Sequence, residues 1–202
     1  MKRYIYLISP QIIKSKKFYN DLNKVLRTNK VSYFQLRLKK KLFKELVKIA
    51  KEIKRITSKN KVKLLINDKP LVAKAVKADG CHIGQKDMNF LNSRNILGQK
   101  KTIGVTCHNS KRLALKAKKM GANYIAFGAF FKSSTKKTTY KANLGLLRWA
   151  RKKINMPIVA IGGINNSNYK KILSNGANFI ACSGYVWKNK NLDPVSAINN
   201  FK

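Results

Sequence analysis

Eight short β-rich runs alternate with amphipathic segments from one end of the chain to the other, and few folds accommodate so regular a rhythm. The runs are YIYLI (4–8), VSYFQLR (31–37), VKLLIN (62–67), GCHIG (80–84), KTIGVT (101–106), ANYIAFG (122–128), PIVAIGG (157–163) and ANFIACS (177–183). Most are continuously apolar, the pattern of strands buried on both faces of a parallel sheet. Between them lie segments such as LFKELVKIAKEIKRI (42–56), with apolar residues every three or four positions, as on one face of a helix. SKRLALKAKKMGA and NLGLLRWARKKI repeat that pattern. The chain has 202 residues and neither a composition break nor a linker. Eight such units predict an α/β fold, a single (β/α)8 TIM barrel over residues 1–202. A doubly wound open sheet is the alternative, but that fold gathers its ligand residues at one switch point.

Here polar or glycine-rich tokens follow seven strands in succession: QLRLK, ND, HIGQKD, TCHN, GAFFKSSTK, GGINN and CSG. In a barrel these all reach the rim formed by the strands' carboxyl ends, where active sites lie. Arg37, Lys39 and Lys136 bring positive charge to that rim, with Gln35, Asn67, Ser133 and Thr135 as hydrogen-bonding neighbours. Gly162 and Gly163 permit close backbone approach, and the helix after them is expected to offer free amides to an anion. Ser183 supplies a second wall. Asp68 and Asp87 end adjacent strands and suit Mg2+, a hard ion that favours carboxylates, water and phosphate oxygens. The expected ligand is a metal-bound diphosphate.

Charge sharpens this reading. The chain carries 45 basic and only seven acidic residues, a net +38, yet three of the acids fall between Leu64 and Asp87. Asp79, within ADG, reads as a turn residue. His82 reads as a packed strand histidine. The lysines are spread over nearly every predicted helix, without a dense tail or a nucleic-acid-binding motif, so solvated helix faces account for them and no specific nucleic-acid partner is expected. The excess would still draw in anionic substrates. Cys81, Cys107 and Cys182 are far apart with no CxxC pair, which predicts reduced thiols rather than disulfides or zinc. No apolar run nears the ~20 residues needed to span a bilayer. The opening MKRYIYLISP is too short for a signal peptide, so no membrane partner and a cytoplasmic location are expected.

In this order the tokens resemble thiamine phosphate synthases, from YLISP to SGYVW. The matching pieces are QLRLK, LLINDK, ADGCHIGQKD, IGVTCHN, GANYIAFGAFFKSSTKK and MPIVAIGGINNSN with SNGANFIACSG. The resemblance implies condensation of hydroxymethylpyrimidine diphosphate with thiazole phosphate, giving thiamine phosphate and pyrophosphate by Mg2+-assisted diphosphate departure. It implies Asp68 and Asp87 as metal ligands, and Arg37, Lys39, Asn67 and Lys136 against the diphosphate. Gln35 and Thr106 fall on the pyrimidine side, and Lys136, Arg37 and Thr106 form the implied catalytic set. Ser133 and Thr135 line the phosphate region, while Gly163, Cys182 and Ser183 lend amides or a hydroxyl to thiazole phosphate. The chain departs from the usual pattern at Thr106 (serine), Leu38 (polar or acidic), Lys132 (proline), Ser133 (threonine) and Lys69 (arginine). Barrels of this type often form dimers, and the sequence leaves a homodimer open. The alternative function is a thiazole tautomerase acting on thiazole phosphate alone, with His108 as its proton-transfer group. A nucleic-acid binder exploiting the +38 charge is the alternative from another class.

Overall fold

The computed structural model describes residues 3–13, 15–132 and 139–202. Strands β1 (Ile5–Ile8), β2 (Val31–Leu36), β3 (Lys63–Asn67), β4 (Gly80–Ile83), β5 (Thr102–His108), β6 (Tyr124–Gly128), β7 (Ile158–Ile161) and β8 (Phe179–Cys182) pair in chain order, every one parallel to the next. Pairing of β1 with β8 closes the barrel, so the open sheet is excluded. Helices α1 (Lys16–Arg27), α2 (Phe43–Lys59), α3 (Pro70–Ala75), α4 (Phe90–Leu97), α5 (Lys111–Lys119), α6 (Leu144–Lys153) and α7 (Tyr169–Ser174) follow the first seven strands, and α8 (Gly184–Trp187) with α9 (Pro194–Asn199) follow the last. Among the described residues no helix is long and apolar enough to cross a membrane.

The two-residue period of a strand divides the side chains into two layers. Ile5, Leu7, Phe34, Leu64 and Ile66 point outward and pack beneath the helices. Tyr6, Ile8, Leu65, Tyr124 and Val159 point inward and fill the barrel, joined by Tyr33 and Phe179. The same alternation carries Gln35 and His82 into the interior, where both are buried. The cysteines are free and buried, and burial pushes each thiol up to about 12, so they remain neutral.

At the amino-terminal end of the barrel one device recurs three times. The residue just before β4, Asp79, donates its amide to Leu64 O at 2.9 Å and accepts Leu64 N on its own carboxylate at 2.8 Å. Asn123 does the same for Ile103 at the start of β6, and Asn178 for Ile158 near the start of β8. Each clasp ties an even-numbered strand to the odd-numbered one before it. Lys54 Nζ lies 2.7 Å from Asp79 Oδ2, which balances the charge of this acid. Asp79 is structural, as its turn context predicted. Asp79→Ala leaves the Leu64 N–H buried without its acceptor, so denaturant titration should read a loss of about 1–3 kcal/mol. Turnover should stay near wild type, because the clasp lies at the opposite end from the rim tokens.

Candidate active site

Asp68 and Asp87 meet at the rim. Asp68 follows β3 directly in a left-handed conformation (φ 61°), and its amide donates to His82 O of β4 at 2.8 Å. Non-glycine residues seldom adopt that conformation, and Asp is among those that tolerate it best. Asp87 folds back over the end of β4, where Oδ2 accepts the Gly84 amide at 3.0 Å. A Cβ on Gly84 would run into Asp87 Oδ2 and lie 4.0 Å from Asp68 Oδ1, so glycine leaves the space in which the two carboxylates approach. Burial raises the pKa of Asp87, and a hydrogen bond and like charge from Asp68 raise it further, opposed by Lys39 and the Gly84 amide. Lys39 Nζ lies 3.3 Å from Asp68 Oδ2, and the Asn67 side-chain amide donates to the same oxygen.

The other five acids have ordinary roles. Asp21, Glu45 and Glu52 pair with a Lys or Arg three or four residues away on the chain, and Asp79 forms the clasp. Asp193 caps α9 through the amides of Val195 and Ser196. In a chain with 45 cations, two of seven acids are set against each other. That arrangement disfavours the empty protein and suits a divalent cation.

Below the pair, Gln35 and Thr106 are joined through the barrel interior. Gln35 Nε2 reaches Tyr6 Oη, Tyr6 Oη meets Tyr124 Oη, and His82 bridges Tyr124 Oη to Thr106 Oγ1. Burial lowers the His82 pKa to about 4, Arg37 lowers it further and Asp87 opposes, so the ring is neutral near pH 7. His82 is packed, as expected, but it is also a bridge. Tyr6 and Tyr124 were not anticipated as part of the site. Their inward register is the one sequence signal that marks them.

Several expectations need correction. The turn after Gly163 does not offer a run of free amides: those of Asn165, Ser167, Asn168 and Tyr169 bond to Asn165 and Asn168 within the turn itself. Gly162 and Gly163 make room chiefly for the chain after β6, since a Cβ on Gly162 would strike Ala129 and one on Gly163 would strike Lys132 O. Phe130 N and Phe131 N donate to Ile161 O and Gly162 O across that contact. The Ser183 hydroxyl donates to Ser9 O at 3.0 Å, which leaves its amide rather than that proton for an anion. The Cys182 side chain packs in the outer apolar layer, so its backbone alone remains for binding. Leu38 is 5% exposed in the same layer, which explains an apolar residue within QLRLK. His108, the tautomerase candidate, stacks on Tyr140 with ring centres 4.0 Å apart. Arg37 is half-buried at the end of β2, and its amide is held by Ser9 Oγ at 3.0 Å. Ser133, Thr135 and Lys136 lie outside the described residues.

Comparison with known proteins decides the family. Its sequence profile, described as thiamine monophosphate synthase, matches residues 5–186, from the first residue of β1 into α8. The chain belongs to the thiamine monophosphate synthase family. A thiamine-phosphate synthase of Pelagibacter ubique is 54% identical over 201 residues, covering 100% of this chain and 97% of that protein. One from Erythrobacter litoralis is 39% identical over 197 residues, with 96% and 92% covered. The solved thiamine phosphate pyrophosphorylase of Pyrococcus furiosus superposes with a TM-score of 0.87 at 28% identity, covering 99% of this chain and 94% of that one. Thiamine monophosphate synthase membership therefore spans all eight strands and every rim residue named above.

Proposed function

We propose that this chain is a transferase that joins hydroxymethylpyrimidine diphosphate to thiazole phosphate, releasing thiamine phosphate and pyrophosphate. The C–O bond to the diphosphate breaks with its electron pair leaving on oxygen, and the thiazole nitrogen lone pair forms the new C–N bond. The observation that carries the reading is the apposed Asp68 and Asp87 pair, with Lys39 beside it. Charge grows on the departing diphosphate, so catalysis needs positive charge fixed where that group leaves.

The residues fit Mg2+. Two carboxylates supply hard oxygen donors, and like-charge repulsion between them is relieved by a cation. Among the described residues no cluster of three or more His, Cys, Asp or Glu forms a protein cage, which suits an ion that keeps water and substrate oxygens in its shell. When bound, Mg2+ supplies Lewis-acid stabilisation of the leaving diphosphate. Asp68 and Asp87 hold it, Asn67 orients Asp68, and Lys39 and Arg37 add charge for the diphosphate. Lys136 joins them in this reading, with Ser133 and Thr135 along the same loop. Gln35 and Thr106 hold the pyrimidine, and the backbone of Gly163, Cys182 and Ser183 holds the thiazole phosphate.

The test supplies both substrates with Mg2+ and follows pyrophosphate, beside a chelated control. Release that needs both substrates and stops on chelation is expected. Isomerisation of thiazole phosphate without release would return the tautomerase, for which no relative described above gives support.

A further inference from the structure

The hydrogen-bonded groups inside the barrel have a direction, and it follows from counting protons. Gln35 Nε2 donates to Tyr6 Oη at 3.0 Å. A phenol has one proton. The amide cannot accept, and among the described residues the other polar partner of Tyr6 Oη is Tyr124 Oη, 2.8 Å away, so a satisfied Tyr6 proton points to that oxygen. Tyr124 in turn sends its own proton to His82 Nδ1, at 2.9 Å. A ring nitrogen that accepts carries no hydrogen, so the neutral imidazole is protonated on Nε2. That N–H donates to Thr106 Oγ1 at 2.8 Å, and the threonine proton is turned away from the histidine. Each assignment fixes the next. Gln35, Tyr6, Tyr124 and His82 are all buried, so water does not compete for these four groups, and reversal requires them to turn together with the Thr106 hydroxyl.

We propose that Tyr6, Tyr124 and His82 are positioning residues that lock the polarity of the heterocycle pocket, holding Gln35 Oε1 as an acceptor at one end and the Thr106 hydroxyl as a donor at the other. The pocket thereby selects a ring that offers a donor towards β2 and an acceptor towards β5. The chain of bonds touches the substrate only through Gln35 and Thr106. The identity of the ring as a pyrimidine rests on the synthase reading, whereas the polarity rests on the interior geometry alone.

The first experiment is 15N NMR of the full chain labelled at histidine, near neutral pH. The protein has two histidines, and His108→Gln leaves His82 to be read by itself. The expected spectrum is that of a single tautomer protonated at Nε2. A proton on Nδ1, or a mixture of tautomers, overturns the proposal. The second experiment measures Tyr124→Phe, which withdraws the proton that Nδ1 accepts. KM for the pyrimidine diphosphate should rise about tenfold, the equivalent of one buried hydrogen bond. KM for thiazole phosphate and kcat should move by less than about twofold on the same scale. A purely structural tyrosine would lower the melting temperature and disturb both KM values alike, or neither, and either result in folded protein counts against positioning. If wild-type protein releases no pyrophosphate from the two substrates, the synthase reading falls, and the tautomer measurement still decides the polarity.

Discussion

Asp87→Asn should lower turnover by about two to three orders of magnitude at fixed Mg2+, the usual penalty for removing one preorganised group that stabilises transition-state charge. The same substitution should raise the melting temperature of the metal-free protein by a few degrees. Both effects have one origin. In the native state Asp87 is partly buried against Asp68, and its pKa is raised above the ordinary 3.8. A raised carboxyl pKa means that the folded state resists losing the proton more than the unfolded state does. Below the unfolded value both states are protonated and nothing is lost. As pH climbs through the raised value the native state takes the full penalty, which persists at neutral pH. Asparagine fills the same space without the charge. The advantage of the variant in thermal melts should therefore grow from acid to neutral pH and shrink when Mg2+ saturates the wild type. Equal melting temperatures at neutral pH, together with near-normal turnover, would remove the carboxylate pair from the mechanism.

The strands were legible because full burial in a parallel barrel writes each one as a short apolar run, and their ends were legible because the rim tokens interrupt those runs. Asp68 and Asp87 were readable for a further reason: in so basic a chain, acids that are not helix partners stand out. What stayed hidden depends on partners distant in sequence. Asn123 and Asn178 each sit in GAN before a strand, yet their clasp to Ile103 and Ile158 appears only once neighbouring strands pair. Gly162 and Gly163 suggested an anion, and the atoms that need their space belong to Ala129 and Lys132. The amides after Gly163 looked available because a helix start ordinarily leaves them so, but the side chains of Asn165 and Asn168 and the Asn165 carbonyl take them first. Tyr6 and Tyr124 looked like core aromatics. They are, and their hydroxyls carry the polar link as well.

Gly104→Ala should be among the most damaging single-methyl changes in the chain. Gly104 lies on β5 in register with His82 on one side and Tyr124 on the other. A Cβ there would overlap Cζ, Cε1 and Cε2 of the Tyr124 ring. That ring has nowhere to retreat: Tyr6 lies edge-on with its centre 5.8 Å away, Tyr33 at 6.1 Å and His82 stacked at 5.6 Å. An eight-stranded barrel is just wide enough to be filled by side chains, so where neighbouring strands contribute rings, β5 must contribute nothing. Overpacking a rigid core costs about 1–3 kcal/mol and occasionally more, and the upper end is expected here. Any displacement of the ring also pulls Tyr124 Oη from Tyr6 and His82, so surviving folded protein should show the raised pyrimidine KM expected of Tyr124→Phe. A double-mutant cycle separates the two consequences. Tyr124→Leu removes the ring, and Gly104→Ala in that background should be milder than in wild type by about 1–3 kcal/mol, the scale of coupling between residues in contact. The lost hydrogen bonds would not return, so stability should recover while the pyrimidine KM does not. If the two substitutions were additive, the glycine would not be there for the tyrosine.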